Sequence, residues 1–192
     1  MPRTSRAAQS AREQVIADLK NDHKRVKKAY KDFEKLGSDD PEACRNIVEQ
    51  VLQELQVHAA LEEELLYPAA REALKQADLV DEAEIEHESA HTLMDQLRSL
   101  GPDDDKYAAR FTVLCEYVLH HVKEEEGELF PALEQVRLDW EQLAEAMSAR
   151  REELTTGQSD DALVATGNGQ SAGSTLATNG VSDEGLASSR KI

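Results

Sequence analysis

This chain is poor in cysteine, in positive charge and in long apolar runs, and each shortage closes off a class of protein. Its two cysteines, Cys44 and Cys115, show no CxxC or Cys/His ribbon spacing. Neither a thiolate metal ribbon nor a disulfide framework is expected, and both read as small buried or free thiols. Basic residues number 22 against 39 acidic, a net charge of −17. Nucleic acids and anionic membrane surfaces attract basic patches, so this balance argues against both as partners. No stretch approaches the ~18 apolar residues of a membrane span. Met1 to Gln14 lack the apolar run of a signal peptide. A cytoplasmic, reducing location is the expectation. No alternating pattern or hairpin signal points to strands.

What remains is helical periodicity. A first helix is expected from about Ser10 to Leu36, stopped by Gly37. Asp40 and Pro41 suit the N-cap and first turn of a second, running to about Leu66. Pro68 disfavours helical geometry at Tyr67, so a kink or break is expected there, with a short helical piece to Lys75. A third helix covers about Leu79 to Leu100. A fourth starts at Asp103 to Asp105 and reaches about Glu128. A fifth, about Leu138 to Leu154, carries Trp140, Leu143 and Met147 on one side. Four long helices with short connections predict an all-α, antiparallel up-down-up-down four-helix bundle with an extra C-terminal helix. From Gly157 to Ile192 the composition turns to Gly, Ser, Thr, Asn and Ala without aromatics, which predicts a disordered tail. The expected organisation is an N-terminal extension (1–13), the bundle (14–135), the added helix (136–156) and the tail (157–192).

One phrase occurs twice. His58-Ala-Ala-Leu-Glu62-Glu63-Glu64-Leu65-Leu66-Tyr67-Pro68-Ala69 returns as His121-Val-Lys-Glu-Glu125-Glu126-Gly127-Glu128-Leu129-Phe130-Pro131-Ala132. Each copy places an imidazole and a carboxylate at i and i+4, on one helix face. The apolar stripe of the first helix passes through His23. The second contains His58 and Glu62, the third His87 and His91, the fourth His121 and Glu125. Taken singly, each is more simply a core histidine or a surface acid. Glu63, Glu64 and Glu126 read as solvated, and His120 as a flanking residue. Together, seven polar side chains at similar depth on four inner faces would cost many kcal/mol to bury without a cation. A metal site at His23, His58, Glu62, His87, His91, His121 and Glu125 is therefore expected. Imidazole with carboxylate suits zinc, iron or manganese. Seven donors exceed one tetrahedral zinc. They suit two six-coordinate ions, with one position left open for a small molecule such as O2.

The pattern H…HxxxE…HxxxH…HxxxE, carried by His23, His58/Glu62, His87/His91 and His121/Glu125, resembles the hemerythrin-like (HHE cation-binding) family over roughly residues 14 to 135. The resemblance implies a bundle holding two Fe ions, a non-haem di-iron centre with an oxo or hydroxo bridge and bridging carboxylates. It implies three histidines on one iron and two on the other, with O2 binding at the latter. Oxygen-carrying hemerythrins place an aspartate five residues after the last ligand histidine. This chain has Glu125 four after His121, as the HHE branch tends to. The function so implied is binding of O2 or another small diatomic ligand, for oxygen binding, sensing or iron handling. The alternative is a di-iron enzyme acting on peroxide or NO. A ferritin-like oxidase fits less well, because Glu84/His87 and Glu88/His91 place both ExxH matches on one helix. Iron–sulfur repair resembles a related group with a cysteine-bearing N-terminal segment, and nothing before Ala17 matches it.

Overall fold

A computed structural model describes residues 5–36, 40–75 and 78–166, with side chains to 156. Helix α1 spans Arg6–Leu36 and α2 spans Pro41–Leu61. A π turn, Glu62–Leu66, joins α2 to α3, Tyr67–Ala73. Helices α4 (Asp78–Ser99) and α5 (Tyr107–Glu124) follow; a second π turn, Glu125–Leu129, joins α5 to α6, Phe130–Glu134. Helix α7, Trp140–Thr166, closes the described chain. Helix α1 packs on α2 and α5, α4 packs on α5, and α7 lies across α1 and α2. This is the expected up-down-up-down bundle with one added helix. Among the described residues no helix is long and apolar enough to cross a membrane.

Local chemistry explains the boundaries. Asp40 caps α2 by accepting from Ala43 N–H at 3.0 Å, with Pro41 behind it. Asp139 does the same for α7, accepting from Gln142 N–H at 3.1 Å. The acids Asp103 to Asp105 do not open α5. Asp104 instead takes Lys106 N–H on its side chain at 2.8 Å and Tyr107 N–H on its carbonyl at 2.9 Å, which makes a turn. Helix α7 runs to Thr166, past the expected start of the tail at Gly157. Residues 167–192, the rest of that expected tail, lie outside the described residues. Helix α1 takes in much of the expected extension, from Arg6.

The break expected at Tyr67 is absent. Tyr67 is helical, and its N–H donates to Glu62 C=O, five residues back. Phe130 N–H donates to Glu125 C=O in the second copy. The widened turn relieves the contact between each proline ring and the preceding carbonyls, so the helix continues. Both π turns begin at the glutamate of the HxxxE pair.

The apolar core falls into two clusters. One contains Ile16, Leu19, Leu61, Phe130 and Trp140, with Leu143 and Met147 of α7. The other contains Val26, Phe33, Leu55, Met94, Phe111 and Leu114. Between them along the helices lie His23, His58, His87 and His121, all buried. Leu114 is fully buried. Leu114→Ala is expected to lower the unfolding free energy of the metal-free protein by about 2–5 kcal/mol. A methyl group at Gly127 meets nothing within 4 Å. Gly127→Ala should therefore raise stability by about 0.5–1 kcal/mol through the chain entropy that glycine loses on folding. Denaturant titration checks both signs.

Candidate metal centre

Four helices each send one imidazole to the middle of the bundle, and two of them add a carboxylate one turn further on. His58 and Glu62 come from α2 and its π turn, His121 and Glu125 from α5 and its π turn, His23 from α1 and His87 from α4. Their donor atoms form a closed ring. His23 Nε2 lies 3.2 Å from His58 Nε2, which lies 3.1 Å from Glu62 Oε2. That oxygen lies 3.4 Å from His87 Nε2, itself 3.1 Å from His121 Nε2. Glu125 Oε2 closes the circuit, 3.6 Å from His121 Nε2 and 3.4 Å from His23 Nε2. Two histidine pairs thus face each other across two carboxylates. His23, His58, Glu62 and Glu125 are spaced to hold one ion, and Glu62, His87 and His121 to hold another.

Each imidazole is aimed by an outer carboxylate. His23 Nδ1–H donates to Glu126 at 2.8 Å, His58 Nδ1–H to Asp22 at 3.3 Å, His87 Nδ1–H to Glu63 at 2.8 Å and His121 Nδ1–H to Glu86 at 2.7 Å. An acceptor at Nδ1 fixes the tautomer that leaves the lone pair on Nε2, as metal-ligating histidines require. The pattern repeats with the chain. The acid preceding His23 serves His58, and the acid preceding His87 serves His121. The acid after Glu62 serves His87, and the acid after Glu125 serves His23. Glu63 and Glu126, expected to be solvated, are only partly so, at 37% and 36% side-chain exposure.

The donor set fits a cation on its own evidence. Within each pair two Nε2 atoms face each other at 3.1–3.2 Å, a repulsive contact unless a proton or a metal ion lies between them. Glu62 Oε1 and Glu125 Oε2 are buried and accept no hydrogen bond, which is costly for an ionised carboxylate. Burial would depress the His58 pKa, but Glu62, Asp22 and Glu125 outweigh it and hold the ring up at about 10. His87 is held at about 9, with Glu62 and Glu63 overcoming its burial. Burial would raise the Glu62 carboxyl, but His58 and His87 keep it well below the usual carboxylate range. Without a metal the ring therefore holds protons in the place of cations.

Tyr67, the residue at the expected break, enters the ring. Its hydroxyl lies 3.1 Å from His87 Nε2, 3.2 Å from Glu125 Oε1 and 3.4 Å from Glu62 Oε2. Burial, then the charges of Glu62 and Glu125, push its phenol far above the ordinary value. Phe130, its counterpart, stacks on His23 at 6.0 Å. His91 stands outside the ring. Its side chain is 41% exposed, and its Nε2 is tied to Glu63 at 2.8 Å. His120 is 60% exposed and pairs with Glu124 at 3.2 Å. A cavity of about 30 Å3 abuts the four ring histidines. Val26, Leu55, Met94, Val118, Tyr117 and His91 also line it, whereas Tyr67 does not.

The hemerythrin HHE cation-binding domain family matches residues 14–133. A DNA nickase of Nostoc sp. (strain PCC 7120 / SAG 25.82 / UTEX 2576) is 29% identical over 115 residues, which are 60% of this chain and 32% of that protein. This chain thus spans about a third of that relative's length. A hemerythrin HHE cation-binding domain-containing protein of Mycobacterium kansasii has a solved structure of similar fold. It matches with a TM-score of 0.62 at 22% identity, covering 79% of this chain and 91% of that one.

His58→Ala or Glu62→Ala is expected to reduce bound metal to well below the wild-type content, whereas His120→Ala and His91→Ala retain most of it. Elemental analysis of freshly purified variants decides, and undiminished metal in the first pair would refute the ring. A second expectation follows from the protons. His58 and His87 are protonated at neutral pH without metal, and a ligating Nε2 must shed its proton. Metal binding should therefore release protons and tighten as pH rises from about 6 to about 9. Calorimetric zinc titrations in buffers of different ionisation enthalpy measure both effects.

Proposed function

From the premise that this chain belongs to the hemerythrin HHE cation-binding family, we propose that it holds two iron ions in the ring and binds O2 or another small diatomic ligand beside them. The ring of six donors carries this reading: two imidazole pairs joined by two carboxylates suit a pair of six-coordinate ions. Mixed nitrogen and oxygen donors without thiolate suit iron. Iron held there supplies a redox-active position at which a small ligand can bind. The cavity supports the choice of ligand. At about 30 Å3 it has room for a small molecule. Val26, Leu55, Met94 and Val118 give it an apolar wall, with Tyr117 and His91 also at its border. His91 faces this cavity from outside the ring and leaves the histidines divided two and two.

One observation favours the alternative, a di-iron enzyme acting on peroxide or NO. The Tyr67 hydroxyl reaches both bridging carboxylates and His87. It is placed to hold a proton at Glu62 or Glu125, or to join the donors once a cation offsets those charges. The DNA-nicking role of the Nostoc relative is not carried over. The net charge of −17 opposes phosphate binding, and the match leaves most of that protein unaccounted for. Mixing the reduced, iron-loaded protein with O2 in a stopped-flow instrument separates the readings. Binding predicts an optical change that reverses under argon. Prompt irreversible oxidation, with rapid peroxide consumption that Tyr67→Phe slows, would overturn binding in favour of the enzyme.

A further inference from the structure

Three of the four outer carboxylates keep some contact with water: Glu63 at 37%, Glu126 at 36% and Glu86 at 12% side-chain exposure. Asp22 does not, at 4%. A carboxylate so buried needs compensating charge, and it receives two guanidinium groups. Arg25, three residues along α1, donates to Oδ1 at 2.6 Å. Arg151 donates Nη2–H to Oδ2 at 2.6 Å and Nη1–H to Oδ1 at 3.3 Å. Oδ2 is also the oxygen that accepts from His58 Nδ1–H, at 3.3 Å. Arg151 alone shares the atom that aims the ligand ring. It belongs to α7, beyond the residues that the family matches.

We infer that Arg151 is a positioning residue of the metal centre, a fork on the added helix that holds Asp22 so that Asp22 holds the His58 ring. The inference rests on the ring as a metal site. It makes α7 part of that site and not merely a cover on the bundle. Two effects of Arg151 on a bound cation oppose each other. Its charge repels the ion, but the Asp22 carboxylate between them offsets that charge. Its bidentate geometry orients Asp22, the partner of a ligand, and loss of such a ligand partner costs roughly tenfold to a hundredfold in metal affinity. Orientation wins on these magnitudes. Lysine keeps the charge but not the fork, so Arg151→Lys separates the two effects.

The helix also supplies its own control. Arg150 clamps Glu64 with two hydrogen bonds of 2.8 and 2.9 Å. That contact fastens α7 to the same π turn without touching an outer carboxylate. Cobalt(II) titrated into the metal-free full-length chain, read by visible absorption and by calorimetry, tests the inference. Arg151→Met, Arg151→Lys and Asp22→Asn should each weaken one of two binding steps about tenfold or more, leave the other step in place and change the cobalt spectrum. Arg150→Met should titrate like wild type. The Asp22→Asn/Arg151→Met double variant should be no weaker than Asp22→Asn alone, because both act on one path. Equal losses in the Arg150 and Arg151 variants, or wild-type binding in Arg151→Lys, would overturn the inference. Failure of the wild-type chain to bind cobalt at all would instead overturn the metal centre on which it rests.

Discussion

Everything in this bundle is arranged around one electrostatic constraint. Two carboxylates and four imidazoles occupy its middle, with side-chain exposures between 0% and 7%. Such groups are tolerated inside a protein only when each lone pair and proton has a partner. The outer carboxylates satisfy the Nδ1 positions, and they require partners in turn. His91 Nε2 lies against Glu63, and Arg25 and Arg151 lie against Asp22. The inner atoms, where Nε2 faces Nε2 and two glutamate oxygens stand bare, remain for a cation. The apolar residues follow the same logic. They divide into two clusters on either side of the polar layer, so hydrophobic burial clamps both ends of a layer that would otherwise repel itself.

The repeat in the sequence is a repeat in this circuitry. Each half of the chain offers an acid–histidine dipeptide on one helix and H-x3-E-E on the next. Within each half, the acid before the first histidine reaches the second histidine. Between halves, the acid after each bridging glutamate reaches the other half's first histidine. Neither half can therefore complete its own site. Glu62 and Glu125 each span histidines from both halves, which ties the centre to the closed bundle. The π turns belong to the same design. Five residues along a regular helix rotate a side chain about 140° from its starting face. One extra residue in the turn removes most of that rotation, which brings Tyr67 back to the glutamate five positions before it.

That geometry explains what was legible in the sequence and what was not. Helical periodicity and the α2 cap placed the helices, because amphipathic stripes and Asp40-Pro41 act locally. The same stripes pointed to His23, His58, Glu62, His87, His121 and Glu125, the six residues of the ring, since a side chain on a bundle's inner face must keep the core register. His91 shares the register of His87 but sits one turn away, where α4 meets solvent, and periodicity cannot see depth. Tyr67 was hidden because a regular helix points it elsewhere and Pro68 suggested a break. Asp22, Glu63, Glu86 and Glu126 lay beside the ligands in an acid-rich chain, where proximity in sequence carries little weight. Their partners come from other helices, and the only trace was the matched position of an acid in each half. Arg151 left no trace, because nothing local connects it to residue 22.

Once those residues are in place, the two ends of the ring are no longer equivalent. The His23/His58 end meets Phe130, stacked on His23, and a buried outer acid neutralised by guanidinium groups. The His87/His121 end meets the Tyr67 hydroxyl and outer acids that keep some contact with water. The Tyr67 phenol touches His87 at this end and both ring carboxylates, and burial with the charges of Glu62 and Glu125 keeps it protonated. The difference comes from tyrosine in one copy of the repeat where the other has phenylalanine, and from Arg25 and Arg151 at Asp22. A duplicated motif thus yields two chemically distinct positions in one ring.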